Sequence, residues 1–202
     1  MTYQMKPLIC DPAKLTGLSE KLIISHYENN YGGAVKRLNA ITAQLAELDF
    51  ANAPVFVLNG LKREELIASN SMILHEVYFD SLGDSGVLGD DLNAALVRDF
   101  GSIERWRAEF TAMGKALGGG SGWVLLTYSS RDSKLVNQWA SDHAHTLANA
   151  TPILALDMYE HSYHMDYGAK AAAYVDAFMQ NINWKKVAES YMHCQHSEVL
   201  SK

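Results

Sequence analysis

Apolar residues in the first part of the chain recur at intervals of three and four. Leu22, Ile23, His26, Tyr27, Tyr31, Val35 and Leu38 form one stripe behind Ser19, a residue suited to cap a helix start. Gly32-Gly33 interrupts that stripe, so a kink or bulge is expected rather than a straight rod. A loop from about Asn52 to Asn59, holding Pro54, leads to a second long helix with the stripe Leu66, Ile67, Leu74, Val77, Tyr78 and Leu82. Gly83, Gly86 and Gly89 then mark a linker and a domain boundary, dividing the chain into residues 1–88 and 89–202. Beyond it, Asp90–Phe100 and Glu104–Leu117 read as two short helices, and the run GGGSG at 118–122 stops the second. Trp123–Tyr128, Leu135–Trp139 and Pro152–Asp157 read as strands, and helix returns near Ala169–Asn181. The pattern predicts an α+β fold: an N-terminal helical hairpin followed by a C-terminal α/β domain.

Composition narrows the function classes. The chain has 202 residues, 48% hydrophobic and 20% charged, as expected for a globular protein. No apolar run approaches the ~20 residues of a membrane span. The N-terminus shows no secretory leader, and a cytoplasmic location is expected. Cys10 and Cys194 stand near opposite ends, as two free thiols rather than a disulfide framework. A net charge of −6 with no Lys/Arg run argues against nucleic acid as a partner. It also means that an anionic substrate would have to be attracted locally.

Among eight histidines, position separates the candidates. His26 and His75 lie in apolar helical stretches, where an unpartnered imidazole is costly to bury. Taken singly, each also fits a core histidine with a hydrogen-bond partner. Asp157 closes an apolar strand, and His161 follows four residues later, across a tight turn. Three nitrogens and one carboxylate suit a first-row transition metal such as Fe, Mn or Zn, and not Ca or Mg. His193, Cys194 and His196 form HCQH in a polar tail, which reads as a solvated terminus. Trp123 and Phe79 read as core and pocket wall.

The segments SHYENNYGGAVKRLN, SMILHEVYFDSLG, GGGSGWVLL, PILALDMYEHSYHMDY and AAYVDAFMQNINWKKV resemble, in order, the iron/manganese superoxide dismutase family. The resemblance runs from about residue 18 to 188. It implies three antiparallel strands in the second domain, one Fe or Mn ion per chain, and His26, His75, Asp157 and His161 as its ligands. The implied activity is conversion of superoxide to oxygen and hydrogen peroxide. The implied assembly is a homodimer in which Glu160 of one subunit bonds His161 of the other.

Several neighbouring positions depart from the family pattern, which marks a divergent member. Ala34 stands where a tyrosine is usual, Asn30 for a histidine, Ser71 for a glutamine of the iron enzymes, Tyr159 for a tryptophan and His164 for a tyrosine. Relatives that lack the glutamine supply its contact to solvent at the metal from the second domain. His143 is therefore the expected replacement, with Asp142 as second choice, and Tyr31 stands in for the missing tyrosine. Two alternatives remain: a zinc hydrolase using the same four residues, and a metal-binding homodimeric relative with little or no dismutase activity.

Overall fold

The Ser19 hydroxyl accepts from Leu22 N at 3.1 Å and starts helix α1 (Glu20–Ser25), as its sequence position predicts. A computed structural model describes residues 2–84 and 86–199. Met1, Ser85 of the expected linker and Leu200–Lys202 of the expected second domain lie outside the described residues. From α1 the chain continues without a break through a π-helical segment, His26–Tyr31, into α2 (Gly32–Glu47). The expected irregularity is present, but it precedes the glycines instead of falling on them. Gly32 answers a different need, since a Cβ there would meet the Met5 sulfur at 3.1 Å.

Helix α3 (Val55–Asp80) starts directly after Pro54, so most of the expected loop is helical. Proline tolerates a helix start because the first N–H groups have no intrahelical acceptor. The helix stops before Leu82, which is buried and bridges to Ile182. Helix α4 (Asp90–Phe100) matches expectation, and α5 (Ile103–Ala116) is capped by Ser102, whose hydroxyl accepts from Arg105 N.

Strands β1 (Trp123–Ser129), β2 (Lys134–Ala140) and β3 (Ala150–Asp157) form an antiparallel sheet in the order β2-β1-β3. Every residue of the central β1 is buried, because the sheet is covered on both faces, so polar Thr127 and Ser129 are buried with the apolar residues. Pro152 lies on an edge strand beside a register shift, where its missing N–H costs no ladder bond. Gly122 leads into β1 at φ +124, and a Cβ there would lie 2.2 Å from the Ala140 carbonyl oxygen. Its own carbonyl accepts from Met158 N at 2.9 Å, which ties the start of β1 to the residue after Asp157.

After β3 come a 3-10 turn (Glu160–Ser162), a single turn α6 (His164–Tyr167), α7 (Ala171–Phe178) and α8 (Trp184–Val199). The last of these holds the expected polar tail, whose His193 is exposed as a solvated segment requires, in a helix that the sequence reading did not include. The HCQH segment is helical and Cys194 is half-buried, while His196 is exposed. Val187 and Tyr191 anchor this helix in the core, although its other residues are mostly polar.

Candidate metal centre

Four elements distant in sequence meet at one carboxylate. Asp157 ends β3 fully buried, opposite Trp123 in the sheet register. His26 opens the π-helical segment, His75 lies in the last two turns of α3, and His161 sits in the 3-10 turn after β3. The Nε2 atoms of His26 and His161 stand 3.2 Å from Asp157 Oδ2, and that of His75 at 3.6 Å. One donor atom from each of the four residues lies within 4.8 Å of the others.

The hydrogen bonds around this group aim its lone pairs inward. His75 Nδ1 donates to the Ser71 carbonyl oxygen at 2.6 Å, so its neutral ring presents a bare Nε2 to the cluster. Asp157 Oδ1 accepts from Tyr159 N at 2.8 Å, and Ser162 Oγ donates to the Asp157 carbonyl oxygen at 2.8 Å. Both nitrogens of His26 and Nε2 of His75 are buried with no hydrogen-bond partner, although His26 Nε2 comes close to the carboxylate. An unsatisfied buried polar atom costs about 1–3 kcal/mol. Converging orphan nitrogens around an anionic oxygen are the arrangement a divalent or trivalent cation would satisfy, and this donor set fits Fe or Mn.

Electrostatics agree with that reading. Burial pushes His26 below the ordinary histidine range, and it pushes His75 down to about 3, assisted by the neighbouring His26. Both rings are therefore neutral and free to ligate. Burial opposes ionisation of Asp157, but His161 and His26 outweigh it and hold the carboxyl well below the usual range.

His143 is brought to the same place. Its ring centroid lies 6.1 Å from that of His75 and 4.8 Å from that of Tyr159, on which it stacks. Tyr159 in turn stacks on His161 at 5.3 Å. Trp123 Nε1 donates to His143 Nδ1 at 3.0 Å, which leaves Nε2 as the nitrogen that carries the proton. Asn70 Nδ2 donates to the His143 carbonyl oxygen at 2.6 Å. Neither Trp123 nor Asn70 was marked by its sequence position as a partner of His143. The second choice, Asp142, uses its carboxylate to accept from Ala144 N and lies 3.7 Å from His145.

Tyr31 is buried with its ring stacked on His75 at 6.4 Å. Its hydroxyl accepts from Lys6 N at 2.8 Å and donates to Glu76 Oε1 at 3.0 Å. Burial raises this phenol to about 12. A cavity of about 250 Å3 adjoins the site, lined among others by Asn30, Ala34, Arg37, Ser71 and His143. The small residues at 34 and 71 are what leave this space open. Glu160 is exposed and the His161 side chain 27% exposed, so the edge of the site reaches the surface.

Residues 88–190 match the family described as "Iron/manganese superoxide dismutases, C-terminal domain". The chain is 82% identical over 191 residues to a protein of Cupriavidus metallidurans named "Superoxide dismutase [Fe]", covering 95% of this chain and 97% of that one. It is 34% identical to "Superoxide dismutase [Mn] 1" of Halobacterium salinarum, over 94% of both chains. It is 32% identical to "Superoxide dismutase [Fe]" of Aquifex pyrophilus, over 89% of this chain and 87% of that one. The departures at Ala34, Asn30, Ser71, Tyr159 and His164 thus do not make the chain an outlier, and it belongs to the iron/manganese superoxide dismutase family.

Proposed function

We propose that the chain is a superoxide dismutase in which His26, His75, Asp157 and His161 hold one iron ion. The observation that carries this reading is the convergence of three imidazole nitrogens, two of them buried and unpartnered, on the buried Asp157 carboxylate. Iron is preferred to manganese because the relative at 82% identity carries iron in its name. That relative also favours an active dismutase over a metal-binding protein of little activity.

The ion supplies one-electron chemistry, so that two superoxide anions and two protons give one oxygen and one hydrogen peroxide. The protein's share is to hold the ligand set dry and to deliver protons. His143 carries the second task, with its proton on Nε2 and its ring fixed by Trp123 and Tyr159. The cavity past Ala34 and Ser71 gives water and substrate a path. Tyr31, the other candidate, directs its hydroxyl to Lys6 and Glu76, so its part is to pack against His75.

The reading extends to assembly and location. Exposed Glu160 and partly exposed His161 support a homodimer in which each Glu160 bonds the partner's His161 and fixes its tautomer. No helix among the described residues is long and apolar enough to cross a membrane. A reducing cytoplasm suits the free Cys10 and Cys194. The glycine linker before α4 supports a boundary at residues 88 and 89. Metal analysis and superoxide decay on protein purified without added metal test the central reading. Iron near one per chain with fast decay supports it, and zinc alone with no decay would refute it.

A further inference from the structure

A second cavity, of about 600 Å3, shares no lining residue with the one at the metal centre. Three stretches distant in the chain meet there: the segment around Cys10 before α1, the linker around Asp84, and the start of α8. Hydrogen bonds between these stretches fix its frame. Gly83 N donates to the Asn181 carbonyl oxygen at 3.0 Å and Asn183 N to the Ser81 carbonyl oxygen at 2.7 Å, flanking the bridge of Leu82 to Ile182. The buried Asn181 amide exchanges two further bonds with the Thr16 backbone, at 2.8 and 2.7 Å. The cavity is therefore preformed, and its volume falls within the ~300–1,000 Å3 of small-molecule sites.

Two kinds of group line it. Ile9 and Leu15 supply apolar surface, and the Cys10 thiol stays protonated because burial raises it. Opposite charges supply the rest. Lys14 is held by Asp11 at 3.5 Å, whereas exposed Lys185 and Asp84 have no ion pair among the described residues, not even with each other. Asn183 adds a donor, since its Oδ1 accepts from Lys186 N at 3.2 Å and Nδ2 is left to the cavity. Gly83 leaves that amide uncovered, because a Cβ there would stand 3.3 Å from Asn183 Nδ2. Two unpaired opposite charges, a free amide donor and apolar surface in one cavity are the complement of a zwitterion with an apolar side chain.

We propose that this cavity binds free amino acids and dipeptides as zwitterions, with the carboxylate on Lys185 and Asn183, the ammonium on Asp84 and an apolar side chain on Ile9 and Leu15. This site stands apart from the dismutase reading, because none of its residues belongs to the metal centre. Its occupant touches both halves of the chain and the linker between them, so binding stabilises the folded protein.

Calorimetry of the metal-loaded protein with the dipeptide glycyl-leucine tests the site. One dipeptide per chain is expected, with a dissociation constant on the order of 1 mM, since the charges that hold it are exposed. Lys185→Gln and Asp84→Asn each weaken binding about fivefold. Lys170→Gln changes the net charge as Lys185→Gln does but lies outside the lining, and it binds as wild type does. The N-acetylated and the C-amidated dipeptide each bind about fivefold more weakly as well. Undiminished binding of either would instead show a site for one terminus of a longer chain and overturn the zwitterion. The thermal midpoint rises by about 4 °C at ten times the dissociation constant. In a Cys194→Ser background, saturating dipeptide slows the reaction of Cys10 with a disulfide reagent, which places the ligand in this cavity. No saturable binding, equal binding by wild type, Lys185→Gln and Asp84→Asn, an unchanged midpoint, or a Cys10 reaction rate indifferent to the dipeptide would each overturn the site.

Discussion

At the scale of single residues, the ligands and the residue that serves them separate by what their removal takes away. Asp157→Ala removes the carboxylate on which three imidazoles converge, and metal analysis is expected to show occupancy falling from near one per chain to a small fraction. His143→Ala removes no ligand, so metal content stays near wild type while superoxide turnover per bound metal falls on the order of tenfold or more. His143→Gln retains more turnover than His143→Ala, because an amide still donates a hydrogen bond. Equal turnover in wild type and both variants would make His143 a bystander. The four cluster residues were legible in the sequence chiefly through the family resemblance, since His26 and His75 taken singly also fit core histidines and His161 lies in a polar stretch. The setting of His143 was not, since Trp123 and Asn70 reach it from 20 and 73 residues away.

At the scale of elements, two local irregularities position the site. The π-helical segment places His26 and the Tyr31 ring on the side that faces His75, where an unbroken α-helix would set them at different angles. The Gly32-Gly33 pair announced an irregularity in this helix, but only packing against the N-terminal segment around Met5 shows that position 32 is tight. Gly122 is the second device, at a positive φ against the Ala140 carbonyl. Gly122→Ala forces that backbone apart and is expected to cost about 3 kcal/mol or more. Thermal unfolding should then shift down by roughly 10 °C, and an unchanged midpoint would refute the argument. Helix α8 was missed because its polar residues outnumber the buried anchors, so its apolar stripe is weak as a sequence signal.

At the scale of the whole molecule, the metal-free protein stores its acid sensitivity in the cluster. The folded His75 titrates near 3, and His26 is likewise depressed, whereas an unfolded histidine titrates at about 6.5. Below pH about 6.5 the unfolded chain therefore takes up protons that the native state refuses. Stability is present in full above that pH and falls toward pH 3, by about 1.4 kcal/mol per pH unit for His75, and His26 acts in the same direction. Denaturant midpoints of metal-free protein between pH 7.5 and 4 are the check, and a flat profile would refute it. Assembly gives the other prediction at this scale. Glu160→Ala should loosen the dimer and lower metal content together, read by sedimentation and metal analysis on the same sample. A wild-type monomer with full metal occupancy would remove the idea.

The sequence by itself determined the fold class, the order of the three strands and of the helices other than α6 and α8, and the four residues of the cluster. The elements follow from hydrophobic period and glycine-rich stops, which are local properties of the chain, and the four cluster residues follow from the resemblance of their flanking segments to the family. Only the tertiary structure decided which hydrogen bond fixes His143, where the Tyr31 hydroxyl goes, and that Arg37 opens onto the same cavity. Those outcomes depend on contacts between residues far apart in the chain, and no local period encodes them.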